Sequence, residues 1–396
     1  MIQSARSAYN DDFSEGKYQA FLADLDGLYD HKITFRVAET PVFIDRLFKD
    51  KLVDASNDIV NFLTGADVKK LTAAAIPPNL NVPNETDHTL FLALDFAVVR
   101  DGDQLEPRLI EMQGFPSLFG WQDLISIKYR EHFKVPENLQ SHFGLSSERY
   151  RDKLKKVLLN GHEPQHVILL EIDPIKQNTA IDFLVTRDFT AIEPVHIGDV
   201  IREGRNLFYE KDGERISIKR IYNRVIFDEL VKRPDLRLSF NLTEDVDVEW
   251  AGHPNWFYRI SKYTMPLIKS KYIPDCRFLS EYKEFPEDLG NYVLKPLFSF
   301  SGSGVIFHVS AEDLNAIPES QYNEFMLQRK VEYEPVIQAP DGMVKMEIRL
   351  LFIWEDGHAR PQLVTNLARL SRGEMIGVKY NKDKTWVGGS VGFFEQ

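Results

Sequence analysis

The sequence predicts a mixed α/β fold with more than one packed unit. Two strand pairs, one early and one late, alternate apolar and polar residues about a polar turn. Between them a region runs strand, loop, helix, strand, the order of a small unit with parallel strands. The chain has 396 residues, 43% hydrophobic and 12% aromatic, enough for a sizeable core and unlike a disordered chain.

Charge narrows the function classes. Lys and Arg number 48 against 60 Asp and Glu, for a net of −12. General nucleic-acid binding draws on cations meeting phosphates and is not expected here, although a basic pocket for one nucleotide is compatible with this balance. The single cysteine, Cys276, excludes an intramolecular disulfide and a cysteine zinc site, and fits a cytoplasmic location. Residues 1–13 are polar and acidic, without the pattern of a signal peptide. No apolar run approaches the roughly 18 residues that span a bilayer, so no membrane partner is expected.

Three regions follow from texture. Residues 1–160 open with helical periodicity over 40–63, turn to strands, and leave through a charged helical stretch over 146–159. Residues 161–260 form the small α/β unit, starting at a buried strand over 166–172. Residues 261–396 hold a Gly/Ser loop between two strands and then two long strands joined by a polar turn.

In chain order, the first candidate is Arg36, which with Glu39 could reach a cleft; solvated charge is the alternative. The hairpin over 91–113 is more informative. Two apolar runs flank Asp101-Gly102-Asp103, a turn signal. A turn centred there sets Asp95 opposite Glu111, and alternation puts Gln113 on the same face. Three oxygen-bearing side chains then converge, the donor type Mg²⁺ takes. Acids within apolar strands are costly unless neutralised, and ion pairing to Arg108 or to a neighbouring element is the alternative. In the middle region a strand ends at Asn223 and Arg224. Ligands of open α/β sheets bind beyond such ends, so both are candidates for a substrate carboxylate, with helix capping as the alternative.

Later, a strand ends in Lys295-Pro296, and Ser301, Gly302, Ser303 and Gly304 follow. Glycines let backbone N–H groups approach an anion and the lysine adds a point charge, whereas a plain hairpin tip is the other reading. No helix start makes this a Walker or dinucleotide loop. The apolar run 325–327 turns polar at Gln328, Arg329 and Lys330, as an adenine-binding hinge would; backbone groups near Arg329, Lys330 and Val331 could pair with the adenine edge, and Glu334 could accept from ribose hydroxyls. In the last two strands Lys345, Glu347 and Arg349 share a face. Hairpin pairing brings Arg369 near Glu347 and Asn366 near Arg349. Arg349 and Arg369 could neutralise a phosphoryl group in transfer, or Glu347 and Arg369 could be a structural ion pair. No histidine pattern suggests a metal, and no element supports a serine nucleophile.

Lys-Pro, a Gly/Ser loop, a hinge and Arg-bearing strands, in this order, resemble the ATP-grasp fold. In that family the carboxylates usually follow the hinge, but Val364-Thr365-Asn366 stands there instead. Asp95 and Glu111-Met112-Gln113 carry the pattern upstream, with Gln113 in place of the usual Asn. That order is similar to the circularly permuted ATP-grasp proteins, including the glutathionylspermidine synthetase-like group. The resemblance implies a permuted ATP-grasp fold with a small Rossmann-like pre-ATP-grasp α/β domain over 161–260, the metal-binding half in 1–160, and the nucleotide-binding part in 261–396. Its cofactors would be ATP and Mg²⁺, the ion held by Asp95, Glu111 and Gln113. Lys269 and Lys271 are both candidates for the family's other ATP lysine. The implied reaction joins small-molecule carboxylate and amine substrates through an acyl phosphate. A non-catalytic ATP-binding sensor or scaffold is the alternative, favoured by the Glu-Met-Gln departure.

Overall fold

The computed structural model describes residues 1–298, 304–374, 376 and 380–396. Its largest sheet has the order Gly388–Ser390, Gln362–Ser371, Gly342–Ile353, Phe91–Asp101, Gln104–Gln113, with Pro335–Ala339 also paired to the start of Gly342–Ile353. All of its neighbours are antiparallel. The early and late hairpins therefore lie side by side in one sheet, and Arg349 stands opposite Asp95.

Alternation gives this sheet two different faces. Leu92, Leu94, Phe96, Val98, Ile348, Leu350, Phe352, Ala368 and Leu370 form one buried face, in the same core as the helix Arg46–Leu63. That helix begins where the Asp45 side chain accepts from the Phe48 N–H at 2.9 Å. It buries Phe48, Leu52, Ala55, Ile59 and Leu63 at helical spacing. The expected periodicity from residue 40 thus starts later, because Val42–Ile44 is a strand paired parallel with Gly392–Glu395. The other sheet face is divided. At one end Phe91, Ala93, Leu351 and Ile353 pack against Phe119, Tyr150, Val167 and Phe183. At the other end it carries Asp95, Glu111, Glu347, Arg349 and Arg369.

The middle region holds a parallel sheet of four strands, Glu249–Ala251, Arg220–Asn223, Val167–Glu171 and Glu193–His196. Val167–Glu171 is buried along its length, as a strand covered on both faces should be. A third sheet, antiparallel, places Phe325–Arg329 between Cys276–Phe278 and Tyr292–Pro296. The strand expected after the Gly/Ser loop is reduced to one bridge between Leu294 and Ile306. Among the described residues, no helix is long and apolar enough to cross a membrane.

Candidate functional site

Asp95 pairs with Glu111, and Ala93 with Gln113, across the early hairpin. Gly102, at φ +58°, makes the left-handed turn that glycine adopts without strain. The register shifts by one between Asp95 and Phe96, where Ile110 is the extra residue. This bulge is what puts Glu111 on the charged face: without it Ile110 would stand opposite Asp95 and Glu111 would point to the core. The Ile110 carbonyl accepts from Lys295 Nζ at 3.3 Å.

Asp95 is 1% exposed, and both its oxygens are engaged. Arg349 donates Nε to Oδ1 and Nη2 to Oδ2, each at 2.6 Å. Arg369 donates Nη2 to Asp95 Oδ2 and to Glu347 Oε1, and Tyr333 Oη donates to Glu347 Oε2 at 2.6 Å. Burial pushes the Asp95 carboxyl up, but Arg349 and Arg369 outweigh it and hold it below its usual range. Burial drives Glu347 the other way, upward, with Asp95 adding to it and Arg369 opposing. Ion pairing, the alternative left open by the sequence, is what surrounds Asp95, and Glu347 and Arg369 form a pair as well. Asn366 is not near Arg349: its register partner is Leu350, and on the opposite face it bonds Ser141 O and Gly392. The Gln362–Ser371 strand has its own bulge, between the partners of Leu351 and Phe352, which the spacing does not reveal.

Glu111 and Gln113 are half-buried, and neither side chain bonds a described residue. They line a cavity of about 20 Å³ with Ser261 and Lys262. Lys262 was not apparent in the sequence, being one lysine in a short 3₁₀ turn, Lys262–Leu267. Burial lowers its pKa, against the charges of Glu111 and Asp228. Lys269 and Lys271 are exposed, and Lys271 lies over the Tyr272 ring. Neither is brought to this cluster, and Lys262 is the buried lysine of the segment. Lys295 also donates to Gln328 Oε1 at 2.7 Å. Burial pulls its pKa down to about 8, opposed by Glu111 and reinforced by Lys262. Among the described residues, no group of three His, Cys, Asp or Glu side chains is arranged to hold a metal ion.

Beside this cluster a cleft of about 850 Å³ is lined by Arg329, Lys330, Val331 and Tyr333, with Arg100, Arg108 and Lys345 across from them. The Arg329 and Lys330 N–H groups are engaged by Asp275 O and Asn291 O, at 2.7 and 2.8 Å. The Lys330 carbonyl and Val331 N–H have no backbone partner among the described residues and can offer an acceptor and a donor. Gln328 is buried beneath, holding Lys295. Glu334 is tied to Arg100 at 2.8 Å and does not line the cleft, whose acidic lining residues are Asp101, Glu332 and Glu374. Gly304 is at φ +70°, and a Cβ there would meet Pro296 Cγ at 2.9 Å. Ser301, Gly302 and Ser303 lie outside the described residues.

Arg224 is buried and turned inward. It donates Nη1 to Ser117 O at 2.7 Å and lies 3.6 Å from Asp182 Oδ2. Ser117 Oγ accepts from Arg349 Nη1 at 3.0 Å, so one serine joins both arginines. The Asn223 amide is spent on the backbone of Val225, closing a tight turn at 3.2 Å, and the following helix takes no side-chain cap from it. Arg36 pairs with Glu39 and donates to Val387 O at 3.0 Å, at the sheet edge beyond Arg369.

No family model matches the sequence, and no curated protein matches it. Among solved structures, it is similar to the apo form of a glutathione synthetase-like effector, GSS30, from Globodera pallida. The TM-score is 0.59 at 9% identity, covering 98% of each chain. At that identity the likeness is one of fold.

Proposed function

We propose that the protein is an ATP- and Mg²⁺-dependent carboxylate–amine ligase. The observation that carries this reading is the partly buried cluster in which Lys262, Lys295, Arg349 and Arg369 surround Asp95, Glu111 and Glu347. Tyr333 joins it to the cleft, since it lines the cleft and bonds Glu347. Cations exceed carboxylates there, and Glu347 resists ionisation, which suits an anion with several charges. A glutathione synthetase-like fold adds support, because ligases of that kind use ATP and Mg²⁺.

In this reading the nucleotide base lies at the Lys330 carbonyl and Val331 N–H, and the phosphates reach Lys295. Glu111 and Gln113 would hold Mg²⁺, an ion that accepts few protein oxygens and completes its shell with water and phosphate, and it would neutralise phosphate charge. The metal role expected of Asp95 passes to these two. Asp95 instead positions Arg349 and Arg369. A substrate carboxylate oxygen attacks the γ-phosphorus, and ADP leaves with the bonding pair. An amine nitrogen then attacks the acyl carbon, phosphate leaves, and the nitrogen loses a proton to give the amide. Positioning and charge do the work, with no protein nucleophile.

Calorimetry with a non-hydrolysable ATP analogue and Mg²⁺, then ADP release over pooled carboxylic acids, amino acids, peptides and polyamines, tests this. Micromolar nucleotide binding and amine-dependent ADP release are expected. Absence of nucleotide binding would refute it. A non-catalytic nucleotide sensor or scaffold is favoured by one observation, the full engagement of both Asp95 oxygens by arginines, and predicts binding without ADP release across the panel.

A further inference from the structure

The helix Gln3–Asp12 starts without a side-chain cap, because Ile2 stands at its N-cap position and offers none. The first N–H groups of a helix have no partner within it and carry partial positive charge. Ile2 and Gln3 line a small cavity together with Arg6, Phe43, Val336 and Ile337, where this helix meets the strands Val42–Ile44 and Pro335–Ala339. None of the described residues that line it carries a carboxylate.

Arg6 reaches the cavity from one turn further along the helix, and it is only 7% exposed. Its Nη1 donates to Thr40 Oγ1 and, at 3.4 Å, to Pro41 O. Nε and Nη2 are buried and bond no described residue. The guanidinium lies 4.6 Å from the Tyr9 ring centre and 5.5 Å from that of Phe43, and a ring face attracts a cation without accepting a strong hydrogen bond. The acids closest to its partners in sequence are committed elsewhere, Glu39 to Arg36, and Asp45 to the Met1 amine and the Phe48 N–H. Burial pulls the Arg6 pKa down to about 10, so the group stays charged at neutral pH. A buried cation with two unmade hydrogen bonds and no countercharge is costly in isolation. Nε–H and Nη2–H form one edge of the guanidinium, the edge that Arg349 turns to Asp95. In Arg6 no carboxylate among the described residues meets that edge.

We infer that Arg6 and the first turn of this helix form a site for a small monovalent anion of halide size. The cavity has a volume of about 10 Å³, room for roughly a single water-sized particle and too little for a carboxylate or phosphate group. With a slight turn of the guanidinium, a halide there accepts from both unpartnered Arg6 donors and meets the positive helix end. A water could take the hydrogen bonds but would leave the charge uncompensated. The site is independent of the ligase reading, since Arg6 lies outside the cationic cluster. A bound anion joins the helix to the two strands, so the folded chain gains stability as halide concentration rises.

The test is the chloride NMR line width of the full chain, titrated with sodium chloride while sodium gluconate, whose anion is too large for the cavity, holds the ionic strength constant. Wild type is compared with Arg6→Met and, as a control for general attraction to a surface arginine, with Arg46→Met, whose side chain is exposed. Saturable broadening is expected in wild type, at least tenfold weaker binding in Arg6→Met, and unchanged binding in Arg46→Met. Bromide should compete and acetate should not. The melting temperature should rise with chloride in wild type and stay level in Arg6→Met. Ile337→Phe, which enlarges a wall of the cavity and leaves Arg6 in place, should also lose chloride, and it decides the matter if Arg6→Met does not fold. No saturable broadening in wild type, or chloride affinity that survives in both cavity variants, overturns the site and leaves a water beside Arg6. Acetate competing as well as bromide overturns the assignment to a halide-sized ion.

Discussion

Arg349 and Asp95 are 254 residues apart in sequence, yet they face each other on adjacent strands and close a two-point ion pair. The pair lies where an early hairpin meets a late one, and Arg369 closes on the same carboxylate. It therefore joins the two ends of the chain as well as shaping a cationic site.

Asp95→Asn should consequently be a stability variant before it is a catalytic one. Removing the carboxylate leaves Arg349 without its countercharge, and breaking such a buried pair costs about 3–5 kcal/mol. Urea unfolding measures this, and a loss below about 1 kcal/mol would show that the pair does not lock the hairpins. The double variant Asp95→Leu, Arg349→Met should lose less than the sum of its single variants, because it strands no charge.

Glu111→Gln should behave in the opposite way. Glu111 bonds no described residue, so its loss should change stability by less than about 1 kcal/mol. It should nevertheless weaken Mg²⁺-dependent nucleotide binding by at least about tenfold, since the ion would lose its charged ligand. Calorimetry with and without Mg²⁺ checks both halves; an unchanged Mg²⁺ dependence would remove Glu111 from the ion's shell.

What was legible in the sequence was held by local pairing. The Asp101-Gly102-Asp103 turn marked the hairpin and its approximate register, but the Asp95–Glu111 juxtaposition is completed by the bulge at Ile110, which leaves no mark in composition. A second bulge made Asn366 land on the wrong face. Partners across the fold were out of reach: nothing near Asp95 in sequence announces Arg349, and the inward turn of Arg224 depends on Ser117, 107 residues away. Lys262 was missed because a buried lysine in a short turn has no periodicity to betray it, whereas Lys269 and Lys271, more prominent in the sequence, stay in solvent.

Gly304→Ala probes the approach to Lys295. The φ of +70° is strained for alanine, and its Cβ would press on Pro296, next to Lys295. The strain is of order 1–3 kcal/mol and local, so the expected result is weaker nucleotide binding with a melting temperature lowered by a few degrees at most. Unchanged affinity would show that the turn at Gly304 does not set the phosphate site.

Lys295 should give nucleotide binding a distinctive pH dependence. Burial holds its pKa at about 8, so the free site loses its charge as pH rises through that value. Affinity for the ATP analogue should therefore fall between pH 7.5 and 9.5, and Lys295→Arg, charged throughout, should flatten that slope. Stability runs the other way. Between pH 8 and the unfolded value near ~10.4 the unfolded chain holds a proton that the folded chain has released, so stability contributed by this group rises with pH. Below pH 8 both states are protonated and the cost of burying the charge stands in full. Relative to Lys295→Met, the wild type should gain stability from pH 8 to 10 by on the order of 2 kcal/mol in urea unfolding. A parallel pH profile in the two proteins would mean that Lys295 titrates as it does in water.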